Sequence, residues 1–344
     1  QKYNKTYCRL WKIADICKDH SQRHHGGAEG KHEFINTMRK VIGIGETLLD
    51  IIFRDGQPTA AVPGGSVFNG IVSLARTGVP VCFVSETGND RVGDIILRFM
   101  RDNGIDTSHI YVFPNGKSPV SLAFLDEKSN AEYLFYKNYP TQRLDVEFPP
   151  ITEEDIVVLG SYYALSPVLR EKVTELLDKA RQANAIVYYD PNFRASHKEE
   201  AIKLAPTIIE NLEYATIVRG SLEDFFYMYG LKDADRIYRE KIKFYCPTFL
   251  CTDGAGTVSL RTSALAKDYN VAPLQTLSTI GAGDNFNAGI IYGLLKHGVH
   301  RDTLGQTNES TWNAIVQCGM DFAADVCRSF NNSVSPEFAE SHRI

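Results

Sequence analysis

Ser278-Thr279-Ile280-Gly281-Ala282-Gly283-Asp284, followed by the helical run Asn285 to Leu295, decides how this 344-residue chain is read. Two glycines flank an alanine, and a carboxylate stands where the helix begins. Successive backbone N–H groups at such a turn form a concave anion site, and the helix dipole adds to it. An acid at that spot would repel a bound phosphate unless it had a task of its own. Taking a proton from a hydroxyl, while the amides hold the phosphoryl group under attack, is such a task. Phosphoryl transfer to an alcohol is therefore the leading expectation. Taken alone, the turn reads more simply as a helix N-terminus, with glycines for the bend and Asp for the dipole. Two further stretches shift that balance.

The first is Pro63-Gly64-Gly65-Ser66-Val67-Phe68-Asn69. Paired glycines let a backbone pass close to a ligand. Asn69 falls on the first turn or so of the helix that follows, and its amide both donates and accepts, as a sugar hydroxyl does. The second is Gly45-Glu46-Thr47-Leu48-Leu49-Asp50, at the end of the first expected strand. Carboxylates at the carboxyl ends of parallel strands face the ligand crevice. Gly43-x-Gly45 hints at a dinucleotide fingerprint, but no third glycine follows at the required spacing, which argues against an oxidoreductase of that type.

The pattern around these stretches alternates short apolar runs with amphipathic ones. Strands are expected at Val41–Ile44, Val81–Ser85, Ile156–Leu159, Ile186–Tyr189, Ala215–Val218 and Thr248–Thr252. Helices are expected at Val67–Arg76, Arg91–Asn103, Pro167–Ala183, Leu222–Tyr229, Asp284–Leu295 and Thr311–Arg328. This rhythm predicts an α/β fold: a mostly parallel sheet with helices on both faces. Residues 51–62 and 118–136 break it. They read as strands joined by turns, with the alternation of half-buried antiparallel strands. Together they would make a small β-sheet lid, or else an ordinary edge hairpin.

Apolar content of 43% and charged content of 23% suit a globular protein, and a formal charge of −5 argues against a nucleic-acid partner. No apolar run approaches the ~20 residues needed to span a membrane. The seven cysteines are widely spaced, without a Cys-x-x-Cys, as expected of reduced thiols in a cytoplasmic protein. Residues 1–37 do not fit the rest and read as an N-terminal extension, flexible or vector-derived. Cys8, Cys17, His20, His24 and His25 within it match no standard zinc spacing.

In this order and at these separations, the three motifs resemble the ribokinase-like (PfkB) family of carbohydrate kinases, from about Val41 to about Cys327. The resemblance implies a kinase domain over residues 38–330, with lid strands at about 51–62 and 118–136 and a C-terminal tail at 331–344. It implies that Asp284 is the catalytic base and that Gly281, Ala282, Gly283 and Asp284 supply the anion hole. Asp50, Gly64, Gly65 and Asn69 would bind the sugar. Thr87-Gly88-Asn89-Asp90-Arg91-Val92-Gly93 resembles the family's Gly-x-Asp-x-x-Gly turn. Asp190-Pro191-Asn192-Phe193-Arg194 resembles the Asp-Pro-Asn-x-Arg motif of the fructokinase-like branch, and Arg194 could neutralise phosphate charge. Cys251-Thr252-Asp253-Gly254-Ala255-Gly256 resembles the nucleotide-binding turn, which points to Thr252, Gly254 and Gly256, although the last glycine comes one residue early.

Two departures stand out. Ser278 replaces an Asp that helps hold a monovalent cation in some members, which puts potassium dependence in question. The family's Asn-x-x-Glu motif, tied to magnesium and phosphate, survives only in part as Arg219-Gly220-Ser221-Leu222-Glu223-Asp224, with Glu223 as the expected acid and Asp224 as the other register. The resemblance thus implies ATP and Mg2+ as cofactors and a fructokinase-like sugar as substrate. A 2-keto-3-deoxygluconate, ribose or nucleoside kinase, or a non-catalytic sugar or nucleotide binder, stands as the alternative. Exposed lid strands invite pairing with a second copy, so a homodimer through the lid is an expectation as well.

Overall fold

The computed structural model describes residues 39–125 and 131–344; the expected extension over 1–37 and the Asp126–Asn130 turn lie outside the described residues. Strand β1 (Val41–Ile44) leads into two strands of a small sheet, β2 (Leu48–Arg54) and β3 (Gln57–Gly64), and then into helix α1 (Ser66–Arg76). After β4 (Val81–Gly88) and α2 (Arg91–Asp102) comes the short β5 (Ile110–Phe113). The other half of the small sheet follows, β6 (Lys117–Leu125) and β7 (Ala131–Asn138). Strands and helices then alternate: β8 (Ile156–Gly160), α3 (Arg170–Gln182), β9 (Ile186–Asp190), α4 (Ala201–Tyr214), β10 (Ile217–Ser221), α5 (Leu222–Tyr229), the one-turn α6 (Ala234–Ile237) and β11 (Thr248–Asp253). A hairpin, β12 (Thr257–Arg261) and β13 (Ala266–Asn270), precedes α7 (Ala282–Lys296), α8 (Arg301–Leu304), α9 (Glu309–Val326) and α10 (Pro336–Ser341).

The main sheet has the order β13-β12-β11-β10-β9-β8-β1-β4-β5. Seven strands, from β11 to β5, are parallel, and the β12–β13 hairpin closes one edge antiparallel. β1, β8 and β9 are buried along their whole length, as strands covered on both faces must be. One face carries α1, α2, α7 and α9, packed through residues such as Phe68, Met100, Ile290 and Trp312. The other carries α3, α4 and α5, packed through Leu176, Ile208 and Phe225. The expected α/β architecture and both lid segments are present.

The structure adds three things to that expectation. The small sheet has the order β3-β2-β6-β7, and its central pair, β2 with β6, is parallel, where antiparallel strands were expected. A long crossover from β3 through β5 separates the two hairpins, which permits a parallel join. Helix α4 was hidden by Pro206 inside it, which reads as a helix breaker. Residues 331–344 are no loose tail: they carry α10, and Asn332 and Val334 are buried.

Candidate active site

β1, β9, β10 and β11 all end on one rim of the main sheet, and the residues singled out from sequence cluster there. Gly281 takes a left-handed conformation, φ +76°, and caps α7. A side chain there would also press on the Asn332 carbonyl, 3.0 Å from the position of a Cβ. Ala282 N–H donates to Thr279 O at 3.2 Å, so that amide closes the turn. The other first-turn amides have no partner within the helix, as at any helix start. Asp284 sits on this turn, 9% exposed. Its Oδ2 accepts a hydrogen bond from Asn69 Nδ2 at 2.8 Å. Burial pushes its carboxyl up to about 6, with Asp190 adding to the rise; the Asn69 hydrogen bond and the charges of Arg194 and Arg219 pull it back down. A carboxylate near 6 is ionised at neutral pH yet basic enough to take a proton.

Asn69 lies on α1, which begins at the glycine pair. Gly65 has φ +141°, and a Cβ on it would collide with the Glu46 carbonyl. A Cβ on Gly64 would collide with Asp50 Oδ2. The pair is therefore demanded by close approach within the protein, before any ligand is considered. Asp50, on lid strand β2, accepts from Ser121 Oγ of β6 and from Asn332 Nδ2 at 3.1 Å. Burial raises its carboxyl to about 6 against those two hydrogen bonds.

Asn332 escaped the sequence reading. Its carbonyl accepts from Asn285 Nδ2 at 2.8 Å, and the same Nδ2 donates to Gly281 O at 2.8 Å. Asn285 Oδ1 in turn accepts from Ser73 Oγ of α1. The loop after α9 thus touches both Asp50 and the glycine turn. A Ser/Asn-rich loop carries no sequence signal of that placement.

Asp190 ends β9, buried, with three donors on its carboxylate: Arg219 Nη1 at 2.8 Å, Asn287 Nδ2 at 2.6 Å and its own loop's Asn192 N–H at 2.9 Å. Arg194 is exposed at the rim, close enough for its charge to lower both Asp284 and Asp224. Thr252 is buried and accepts from Arg219 Nη2 at 2.6 Å. Gly254 and Gly256 lie in the exposed β11–β12 turn, and open space surrounds the Cβ position of Gly254.

The acidic pair after β10 divides. Glu223 is exposed and accepts from Tyr227 one turn along α5. Asp224 is buried and shares a capping box with Ser221, and burial together with Asp190 raises its carboxyl. Asp224, the other register, lies within electrostatic reach of Asp190 and Arg194, whereas Glu223 is exposed on α5. Ser278 is buried, its Oγ accepting from Ile280 N–H at 3.2 Å.

The Gly88–Gly93 turn has a structural task. Asp90 caps α2 through Gly93 N–H and accepts from both Ser118 N–H, at 2.9 Å, and Ser118 Oγ, at 2.8 Å. It fastens the root of lid strand β6 to the main body. Further along the lid, the Tyr133 ring of β7 stacks on Phe135 with centroids 5.8 Å apart. Its hydroxyl sits within electrostatic reach of Asp50, Arg194 and Asp284, and burial pushes it well above its ordinary value.

Comparison with known proteins bears on this arrangement. The profile of the family described as pfkB family carbohydrate kinase matches residues 38–337. A 5-dehydro-2-deoxygluconokinase of Geobacillus kaustophilus (strain HTA426) is 30% identical, over 67% of this chain and 72% of that protein. A probable chloroplastic fructokinase-6 of Arabidopsis thaliana is 24% identical, over 73% of this chain and 69% of that protein. Among solved structures, the fructokinase of Vibrio cholerae O395 bound to fructose, ADP and calcium superposes with a TM-score of 0.74 at 20% identity, covering 87% of this chain and 96% of that one.

Proposed function

This chain belongs to the pfkB family of carbohydrate kinases, phosphotransferases acting on a sugar hydroxyl, and on that footing we propose that it transfers the γ-phosphoryl group of ATP with Asp284 as general base. The observation that carries the reading is the Asn69–Asp284 hydrogen bond, which joins the glycine-pair helix to the glycine-turn helix at one point. Asp50, Gly64, Gly65 and Asn69 fix the sugar. Its hydroxyl loses its proton to Asp284 as it attacks the phosphoryl group. The amides at the head of α7 hold the charge that develops on the transferred group. Arg194 meets phosphate from the rim. Thr252, Gly254 and Gly256 border the nucleotide.

Among the described residues there is no cluster of three or more His, Cys, Asp or Glu fit to cage a metal. Magnesium would ride mainly on the nucleotide phosphates and water, and Asp224, buried within reach of Asp190 and Arg194, is the carboxylate that would join that network in place of the exposed Glu223. Magnesium, when bound, neutralises phosphate charge.

A fructose-like ketose is the favoured acceptor, supported by the Asp190–Arg194 segment and by the fructokinase relatives. A keto-deoxy sugar acid is the second reading. The relative named 5-dehydro-2-deoxygluconokinase favours it, as does an exposed guanidinium at Arg194 that a carboxylate could meet. Free, buried Cys82, Cys246 and Cys251 support a cytoplasmic location. Leu134, Phe135 and Tyr136 on edge strand β7, with Tyr136 60% exposed, support a homodimer joined through the lids.

The deciding experiment assays ATP consumption with magnesium across fructose, 5-dehydro-2-deoxygluconate, 2-keto-3-deoxygluconate, ribose and nucleosides, in the wild type and in Asp284→Asn. The variant is expected to lose ~10²–10⁴ in kcat with the best substrate. Full turnover by Asp284→Asn refutes the assigned base. Thermal stabilisation by sugars without turnover in the wild type supports a non-catalytic binder instead.

A further inference from the structure

Arg219 stands in the middle of β10, with Ile217 and Val218 before it, and its side chain is 8% exposed. Nη1 bonds to Asp190 and Nη2 to Thr252. Nε is buried without a hydrogen-bond partner. A Cβ on Gly283 would lie 3.1 Å from Nη1 and 3.3 Å from Nη2, so the guanidinium is pressed against the glycine turn itself. Its carbon also sits 5.4 Å from the centre of the Phe286 ring, on the first turns of α7. A buried cation is costly unless its surroundings use it, and a buried ion pair is a poor device for stability alone. Asp190, which also receives Asn287 Nδ2 and Asn192 N–H, and Asp224 are the carboxylates that face this cation.

We propose that Arg219 is a positioning residue for phosphoryl transfer: it seats a fixed positive charge directly behind Gly283, beneath the amides that hold the transferred group, and locks Asp190 and Thr252 beside them. The inference rests on the reading of Gly281–Asp284 as the anion-holding turn. The charge is preorganised, since both ends of the fork are hydrogen-bonded before any ligand arrives, and a charge so fixed stabilises developing negative charge without reorganising. The same placement acts on the base. Asp284 is faced by Arg219 and Arg194, which lower its carboxyl, by Asp190, which raises it, and by the neutral Tyr133 hydroxyl from the lid.

The test uses the wild type with its best substrate from the panel above, then Arg219→Gln, Arg219→Lys and Thr252→Val. Arg219→Gln keeps donors for Asp190 and removes the charge. Its kcat is expected to fall ~10–100-fold, with the sugar KM within about twofold and the acid limb of the kcat–pH profile moved to higher pH. Arg219→Lys restores the position of the limb while kcat recovers only in part. A kcat in Arg219→Gln within about twofold of wild type with an unmoved limb overturns the proposal, as does a loss confined to KM. If Arg219→Gln does not fold, as judged by its melting curve, the other two variants decide. A lowered kcat with an unmoved limb in both supports the proposal, and wild-type kinetics in both overturns it. A wild type that phosphorylates nothing in the panel fails the functional reading and this inference with it; an active wild type with indifferent Arg219 variants fails this inference alone.

Discussion

Asn69 donates its side-chain amide to Asp284 across 2.8 Å, bridging 215 residues of sequence. The partner of the proposed base thus comes from the very helix that the glycine pair opens. The hydrogen bond also favours the ionised carboxylate, against a burial that would protonate it.

Removing that donor should make the base harder to ionise. In Asn69→Ala the Asp284 carboxyl rises further above about 6. Since the ionised form is the active one, the acid limb of log kcat against pH moves to higher pH, and activity at pH 6 falls more than activity at pH 8. A pH–rate profile of both proteins checks this; a limb that stays in place shows that the hydrogen bond does not act on the base.

The same burial predicts a stability effect. Asp284 binds its proton more tightly folded than unfolded, so between its ordinary 3.8 and about 6 the folded state holds the extra proton and stability declines as pH rises. Asp284→Asn removes the buried charge while leaving an acceptor for Asn69. It should melt higher than wild type at pH 7.5, by about 1–4 °C, and the gap should close toward pH 4. Melting curves at the two pH values decide it, and a lower melting point at pH 7.5 refutes the sign.

Two glycines with positive φ should respond differently to substitution. Gly65→Ala forces a Cβ onto the Glu46 carbonyl on top of its positive φ and should destabilise the protein by ~3 kcal/mol or more. Gly254→Ala meets open space and pays only for its left-handed backbone, about 1–2 kcal/mol. If the β11–β12 turn borders the nucleotide, Gly254→Ala raises the KM for ATP without touching that for sugar. Urea titrations and two-substrate kinetics read both effects.

The acidic pair after β10 offers a direct comparison. Asp224→Asn should lower kcat by ~10-fold or more and raise the magnesium concentration needed for half-maximal rate, whereas Glu223→Gln stays within about twofold of wild type. The reverse outcome would restore the register expected from sequence.

Much of this was legible beforehand because the signals were local. Val41–Ile44 and Leu222–Tyr229 fold over the spans their apolar patterns mark, and the glycine turn begins its helix as its composition implies. What escaped depended on distant partners. The β13 strand, Ala266-Lys267-Asp268-Tyr269-Asn270, has little apolar content and no apolar alternation, so nothing marked it as sheet. Asn332 became a site residue only because the chain after α9 returns to Asp50, 282 residues away. Arg219 did leave a trace: a charge in an otherwise apolar parallel strand must be paired, and strands of that kind end at the ligand crevice.

Asn332 gives the molecule a property that belongs to neither substrate site. Its amide donates to Asp50, while its backbone carbonyl shares the Asn285 amide with Gly281. If Asp50 holds the sugar and the Gly281 turn the phosphoryl group, as proposed, sugar and nucleotide lean on opposite ends of one residue, and filling either site bears on the other. Whatever factor the sugar imposes on ATP affinity, ATP must return to the sugar, because such coupling is reciprocal. Substrate synergy in this kinase would then run through a loop that touches neither reacting atom.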